Sequence, residues 1–150
     1  MRQWLSSLFG GNRQKIPQNK YILVVDDGEN ERMFYTRTLK KAGYEVEAVN
    51  GGAAALESIA KRFPDLVITD FYMPEMNGRE LCDRLKHDPR TAQIPIVFLT
   101  GSARPADIVD CFDAGCEYYL EKPIDARTLV RQVTTILSDL EEESAGRKAA

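Results

Sequence analysis

The chain has 150 residues, of which 43% are hydrophobic, and a formal net charge of −3 at pH 7. This length and composition suit one domain with a substantial core, and the slightly acidic balance argues against direct binding of DNA. No apolar run approaches the roughly 20 residues that a membrane span needs, no signal peptide is apparent, and three cysteines in no metal-ligand spacing indicate the reduced thiols of a cytoplasmic protein.

Short apolar runs alternate five times with segments of helical spacing. The predicted strands cover residues 21–25, 44–49, 66–69, 94–99 and 117–120, and the predicted helices cover 29–41, 52–62, 78–87, 105–114 and a last segment that ends near residue 140. Strands that alternate with helices imply right-handed crossovers and a parallel sheet. We therefore expect an α/β fold with a doubly wound, five-stranded parallel sheet.

The composition of the strands predicts their positions in this sheet. The first, third and fourth strands are nearly continuous apolar runs, as expected where helices cover both faces. The second strand alternates apolar with polar residues, which is typical of an edge. The expected strand order is 2-1-3-4-5, the flavodoxin-like arrangement.

The predicted domain spans residues 20–140, between an N-terminal extension, residues 1–19, and a solvated C-terminal tail, residues 141–150. In the extension, apolar residues recur at helical spacing: Met1, Trp4, Leu5 and Leu8. Because a helix this short is marginal alone, we favour a mobile tail or a short amphipathic helix docked on its own domain. The alternative is a handle for a membrane surface or a partner; membrane association is not expected.

Reactive side chains stand at or just beyond the ends of four of the predicted strands. In chain order they are Asp26, Asp27, Asp70, Thr100 and Lys122. Doubly wound sheets bind ligands beyond the carboxyl ends of their strands, at the point where the winding direction changes. These side chains should therefore meet at one edge of the sheet.

The chemistry of this set predicts a metal and phosphoryl site. Three carboxylates in one cleft repel each other, and Mg²⁺ relieves this repulsion because it prefers oxygen ligands and bridges carboxylate to phosphate. The set lacks His and Cys, which argues against zinc. Lys122 and Thr100 can each contact a phosphoryl oxygen, which leaves Asp70 as the candidate nucleophile that forms an aspartyl phosphate.

Each residue alone has an ordinary structural explanation. Asp26-Asp27 could be only a helix N-cap, and Thr100 or Lys122 could be a plain strand-end or loop residue. The combination, in this order and at strand ends, favours the functional interpretation.

The same residues carry a resemblance to a known family. Over about 20–140 the chain resembles the response-regulator receiver domains of two-component signalling, of the stand-alone, CheY-like type. Four elements carry the likeness: Val24-Val25-Asp26-Asp27, Asp70-Phe71-Tyr72-Met73-Pro74-Glu75-Met76-Asn77-Gly78, Leu99-Thr100-Gly101 and Tyr119-Leu120-Glu121-Lys122-Pro123.

This resemblance implies that Asp70 accepts a phosphoryl group from a histidine kinase or a histidine phosphotransfer protein, with Mg²⁺ as cofactor. The direct metal ligands would be Asp27, Asp70 and the backbone carbonyl of Tyr72, with Asp26 acting through water. The chain would assist its own phosphorylation and dephosphorylation rather than act as an enzyme on another substrate.

The resemblance also implies how the signal leaves the domain. Thr100 and Tyr119 would form a switch pair, and the Lys122–Pro123 peptide bond would be cis. The face made by the fourth helix, fifth strand and fifth helix would then change shape and bind a downstream protein effector. The protein would be a monomer or a weak, phosphorylation-dependent dimer.

Two positions would set the lifetime of the phosphoryl group. Tyr72 and Ser102 lie two residues after Asp70 and Thr100, at positions that in this family tune attack by water on the aspartyl phosphate. The size of Tyr72 suggests that it shields the site and slows hydrolysis.

Two other functions stay open on the sequence. A Mg²⁺-dependent phosphatase with an aspartyl-phosphate intermediate would need a second aspartate where Tyr72 stands. A constitutive interaction module of the same fold would not need an intact acidic site. The sequence does not separate a messenger from a relay intermediate or a phosphate sink.

Overall fold

The apolar runs of the sequence form one parallel sheet in the computed structural model, which describes residues 19–101 and 104–149. The strands are β1 (Tyr21–Val25), β2 (Glu45–Val49), β3 (Leu66–Thr69), β4 (Ile96–Thr100) and β5 (Tyr118–Glu121). The sheet has five strands in the order β2-β1-β3-β4-β5. The predicted fold class and strand order are therefore confirmed. The expectations for residues 1–18 and for Ser102 lie outside the described residues.

A helix follows each strand: α1 (Glu29–Lys41), α2 (Gly52–Lys61), α3 (Gly78–His87), α4 (Pro105–Asp113) and α5 (Ala126–Ala149). Neighbouring strand residues point to opposite faces of the sheet. In β1, Ile22 packs in a core layer with residues of α1 and α5, whereas Leu23 packs in a second layer with residues of α2 and α3. Helices therefore cover both faces, which explains the continuous apolar runs.

This topology creates the crevice that holds the site. The chain leaves β1 toward α1 on one face and leaves β3 toward α3 on the other, although β1 and β3 are hydrogen-bonded neighbours. The two connections diverge, so a cleft opens between them at the carboxyl ends of these strands.

Helix α5 extends beyond the predicted end of the last helix, near residue 140. Helix α5 continues from Ala126 to Ala149, and its residues 141–148 are mostly exposed. The apolar stripe ends near Leu140, which is why the prediction stopped there. Good helix formers and ion pairs extend the helix, since Glu141 lies 3.1 Å from Lys20 and Glu143 lies 3.7 Å from Arg147.

Other boundaries moved by one or two residues. β4 begins at Ile96 rather than residue 94 because Pro95 has no N–H to donate to a ladder. Within the described ranges, no helix combines the length and the apolar character needed to cross a membrane.

Candidate functional site

Three carboxylates converge at the carboxyl edge of the sheet. One carboxylate oxygen each from Asp26, Asp27 and Asp70 lies within 4.8 Å of the others. The cause is strand register: Val25 pairs with Thr69 across β1 and β3, so the residues that follow leave the sheet side by side. The predicted clustering of the three aspartates is present in the structure.

Asp26 is the most firmly held of the three carboxylates. Its side chain is buried; Oδ1 accepts a hydrogen bond from the backbone N–H of Gly28 at 2.9 Å, and Oδ2 accepts one from Lys122 at 2.9 Å. Arg32 of α1 donates to its backbone carbonyl. Asp27, by contrast, is exposed. Asp27 is thus the more accessible carboxylate, and Asp26 is held in place by hydrogen bonds to both of its oxygens.

Asp70 is oriented but accessible. Oδ1 accepts the backbone N–H of Phe71 at 2.7 Å, and Oδ2 accepts a hydrogen bond from Lys122 at 2.9 Å. Its side chain keeps 14% of its surface exposed. A carboxylate held in one orientation and open to solvent on one side has the properties of a positioned nucleophile.

Lys122 supplies the positive charge of the site. Its ammonium bridges Asp26 and Asp70, and its backbone N–H donates to the carbonyl of Thr100 at 3.0 Å. The peptide bond to Pro123 is cis, as predicted. Burial alone would lower the pKa of Lys122, but hydrogen bonds to the two aspartates and their charges outweigh burial and raise it. The lysine is therefore a cation at any physiological pH.

Helix α1 contributes contacts that the sequence did not reveal. Glu31 lies 3.9 Å from the Lys122 ammonium, and the ring centroid of Tyr35 lies 5.7 Å from the same nitrogen. These residues are one helical turn apart and face the cleft together. Their spacing of four residues places them on one face of α1, which the sequence alone could indicate. Only the fold shows that this face meets Lys122.

The predicted switch residues lie on neighbouring strands. Thr100, the last residue of β4, is buried and pairs with Glu121 of β5. The Tyr119 hydroxyl is buried and has no hydrogen-bond partner among the described residues. Burial, and to a lesser degree nearby negative groups, raises the pKa of Tyr119 to about 12. Tyr118 packs in the opposite core layer, which leaves Tyr119 on the α4 side of the sheet.

The side chain of Tyr72 reaches the start of α4. Its hydroxyl donates to Oδ2 of Asp107 at 2.8 Å and accepts a hydrogen bond from Arg104 at 2.6 Å. The sequence predicted a role for Tyr72 but gave no sign of these two partners. In the sequence, Asp107 is recognisable only as an acidic residue in the first turn of a predicted helix, a position that usually indicates an interaction with the helix dipole.

Gly78 is a further residue whose role the sequence did not show. A Cβ on this glycine would lie 2.1 Å from the backbone carbonyl oxygen of Asp70. Its N–H donates to the carbonyl of Phe71 at 2.8 Å, and the Asn77 side chain caps α3 through the N–H of Glu80. The absent side chain therefore lets α3 begin directly against the phosphoacceptor candidate.

Comparison with known proteins agrees with this geometry. The family model for the response regulator receiver domain matches residues 22–134. The chain is 29% identical over 120 residues to the polar-differentiation response regulator DivK of Brucella ovis, covering 80% of this chain and 98% of that protein. A crystal structure of a putative response regulator from Chloroflexus aurantiacus superposes with a TM-score of 0.76 at 35% identity, covering 81% of this chain and 99% of that one.

Other relatives are much longer than the matched region. A probable cyclic di-GMP phosphodiesterase of Vibrio cholerae is 38% identical over 118 residues, which are 79% of this chain but 26% of that protein. The matched part of this chain spans only 26%, 48% and 56% of the lengths of three curated relatives. In this chain, the receiver-domain match over residues 22–134 contains the three aspartates and Lys122. By this match and by its fold, the chain belongs to the response regulator receiver domain family of two-component signalling.

Proposed function

We propose that Asp70 accepts a phosphoryl group from the phosphohistidine of a histidine kinase or a histidine phosphotransfer protein. The observation that carries this proposal is the Lys122 ammonium, which lies 2.9 Å from carboxylate oxygens of both Asp26 and Asp70. A cation fixed beside an oriented, accessible carboxylate can neutralise a phosphoryl group as it arrives.

The donor set fits Mg²⁺. The three converging side chains, Asp26, Asp27 and Asp70, supply carboxylate oxygens, the ligands that Mg²⁺ prefers. Asp27 and Asp70 would hold the ion directly with the backbone carbonyl of Tyr72, and Asp26, whose two oxygens already accept hydrogen bonds, would act through water. When bound, Mg²⁺ would offset the charge of the three carboxylates and of the phosphoryl oxygens.

The transfer itself makes one bond and breaks one. A carboxylate oxygen of Asp70 attacks phosphorus, the P–O bond forms, and the P–N bond to the donor imidazole breaks, so that the imidazole leaves with its electron pair and takes up a proton. Lys122 pairs with one phosphoryl oxygen. The Thr100 hydroxyl donates a hydrogen bond to another phosphoryl oxygen.

The response would leave the domain through Thr100, Tyr119 and the face made by α4, β5 and α5. A buried Tyr119 hydroxyl without a described partner loses no hydrogen bond when the ring moves. On α4, Val109 and Phe112 are exposed apolar residues three positions apart, as expected where a protein effector binds.

Incubation with Mg²⁺ and a small phosphodonor such as acetyl phosphate tests this function, with intact-mass measurement as the readout. We expect the gain of one phosphoryl group that is stable in acid and labile in base. Asp70→Asn should abolish the gain, and Asp113→Asn, which changes an exposed aspartate at the far end of α4, should not. Equal labelling of Asp70→Asn would contradict the proposal. Catalytic turnover of the donor that depends on Asp70 but accumulates no phosphorylated protein would favour the phosphatase alternative.

A further inference from the structure

Tyr72, Arg104 and Asp107 form a closed set of hydrogen bonds beside the acidic site. The Tyr72 hydroxyl donates to Asp107 Oδ2 at 2.8 Å and accepts from Arg104 Nη2 at 2.6 Å. The Arg104 guanidinium also contacts both carboxylate oxygens of Asp107, at 3.0 and 3.2 Å. Each member therefore contacts the other two. We call this set the Tyr72 cluster.

The Tyr72 cluster joins two separate connections of the fold. Tyr72 lies two residues after Asp70, in the segment that leaves β3. Arg104 is the N-cap residue of α4, and Asp107 lies in its first turn, after the segment that leaves β4 and Thr100. The cluster thus links the residues next to the phosphoacceptor with the helix that begins beyond the predicted switch threonine.

Asp107 and Arg104 differ in burial, and the buried carboxylate is the one that needs partners. Asp107 is buried, whereas the Arg104 side chain is 72% exposed. A buried carboxylate needs charged or polar partners, and Arg104 and the Tyr72 hydroxyl supply them. Bonds to an ionised group are stronger than neutral ones, so Asp107 fixes the Tyr72 hydroxyl firmly.

Without this anchor, the position of the Tyr72 ring would be loosely set. Tyr72 is 49% exposed. Its described ring contact is a T-shaped one with Phe71, with ring centroids 4.8 Å apart. The hydroxyl contact with α4 fixes the far end of the ring and holds it stretched from the Asp70 loop to α4.

We propose that Arg104 and Asp107 are positioning residues for the phosphoryl chemistry. They hold the Tyr72 ring beside Asp70, where it limits the approach of water to the phosphoryl group and prolongs the phosphorylated state. This inference rests on the proposed phosphorylation of Asp70 and adds to it that the first turn of α4 sets the lifetime.

The test uses the full chain, phosphorylated with acetyl phosphate and Mg²⁺ and then freed of donor. The rate of phosphoryl loss is measured by intact mass for the parent and for Tyr72→Phe, Asp107→Ala, Arg104→Met and the double variant of Tyr72→Phe with Asp107→Ala. Each single variant should lose the phosphoryl group roughly fivefold faster, the change that one net hydrogen bond allows. Arg104→Met alters an exposed side chain, so it keeps the test available if Asp107→Ala does not fold.

The double variant separates positioning from a general effect on α4. If Asp107 acts through Tyr72, the double variant should match Tyr72→Phe within about twofold. Arg90→Met is the matched control, because Arg90 makes a similar forked contact with Asp88 at the opposite edge of the sheet; it should leave the rate unchanged.

Three results would overturn the inference: single variants with the parental rate or a slower one, effects that multiply in the double variant, or an equal acceleration in Arg90→Met. A parent that takes up phosphoryl but shows one of these results refutes only the positioning role. A parent that takes up none refutes the proposed function, and the positioning role with it.

Discussion

The ammonium nitrogen of Lys122 lies 2.9 Å from Oδ2 of Asp70, across a separation of 52 residues in the chain. The contact spans the sheet as well, because β4 lies between the strands that precede these two residues. It is therefore a product of topology, and it places a fixed positive charge beside the carboxylate that the proposed chemistry uses.

Replacement of this lysine should separate chemistry from folding. Lys122→Met leaves Asp26 and Asp70 without their shared cation, so we expect a loss of about 3 kcal/mol in the free energy of unfolding without Mg²⁺. Mg²⁺ should restore part of that loss. Phosphorylation by acetyl phosphate should slow by roughly 100-fold, measured as the rate of mass gain. Lys40→Met, on the exposed side of α1, is the control, and a parental rate in Lys122→Met would contradict the role.

Mg²⁺ should stabilise the folded protein. The proposed site would bind the ion at the folded cluster of Asp26, Asp27 and Asp70 and relieve its repulsion, so unfolding at 100 times the dissociation constant should cost about 2.7 kcal/mol more. Urea denaturation with Mg²⁺ and with a chelator measures the difference. Asp27→Asn should lose most of the Mg²⁺ stabilisation, because Asp27 is the proposed direct ligand that is most exposed to solvent. An undiminished Mg²⁺ effect in that variant would place the ion elsewhere.

The close approach of α3 to Asp70 predicts a strong effect of a small change. Gly78→Ala should destabilise the fold by about 2 kcal/mol or more, because the added Cβ would lie 2.1 Å from the Asp70 carbonyl oxygen. Phosphorylation should slow as well, since the backbone of the acceptor must move. Gly51→Ala is the control, because its Cβ would meet nothing within 4 Å. Equal stability of the two variants in urea would show that the contact relaxes freely.

Stability should fall at alkaline pH for an identifiable reason. Burial raises the pKa of four tyrosines, Tyr21, Tyr35, Tyr44 and Tyr119, the last to about 12. A raised folded pKa means that the stabilisation is complete below the unfolded value, about 10, and is lost as pH rises through the folded values.

Urea unfolding at intervals from about pH 8 to pH 12 checks this prediction, with tyrosinate absorbance recorded in parallel. Tyr119→Phe should keep its stability near neutral pH, because the hydroxyl has no described partner, and should lose less at high pH. A free energy of unfolding that stays constant across this range would show that the tyrosines have the same pKa in the folded and unfolded protein.

Most of the fold was predictable because its signals are local. The apolar runs of β1 and β3 and the strand-end position of Asp70 follow from the sequence, and parallel topology then brings Asp26, Asp27 and Lys122 to it. Contacts between distant segments were not predictable. Nothing in the sequence pairs Tyr72 with Asp107, because each has an ordinary local explanation.

Two further differences have the same origin. The need for glycine at position 78 appears only when α3 is seen to begin against the Asp70 carbonyl. The end of α5 was misplaced because the apolar stripe reports burial rather than helix length, and exposed residues after Leu140 continue the helix through propensity and ion pairs.

The central claim is that Asp70 carries the phosphoryl group, and chemical mapping of the modified residue tests it most directly. Borohydride reduces an aspartyl phosphate to homoserine, which peptide mass spectrometry locates in the chain. After treatment with acetyl phosphate and Mg²⁺, we expect homoserine at position 70 and at no other aspartate. Homoserine at Asp26 or Asp27, or none in a protein that gained phosphoryl mass, would contradict the account.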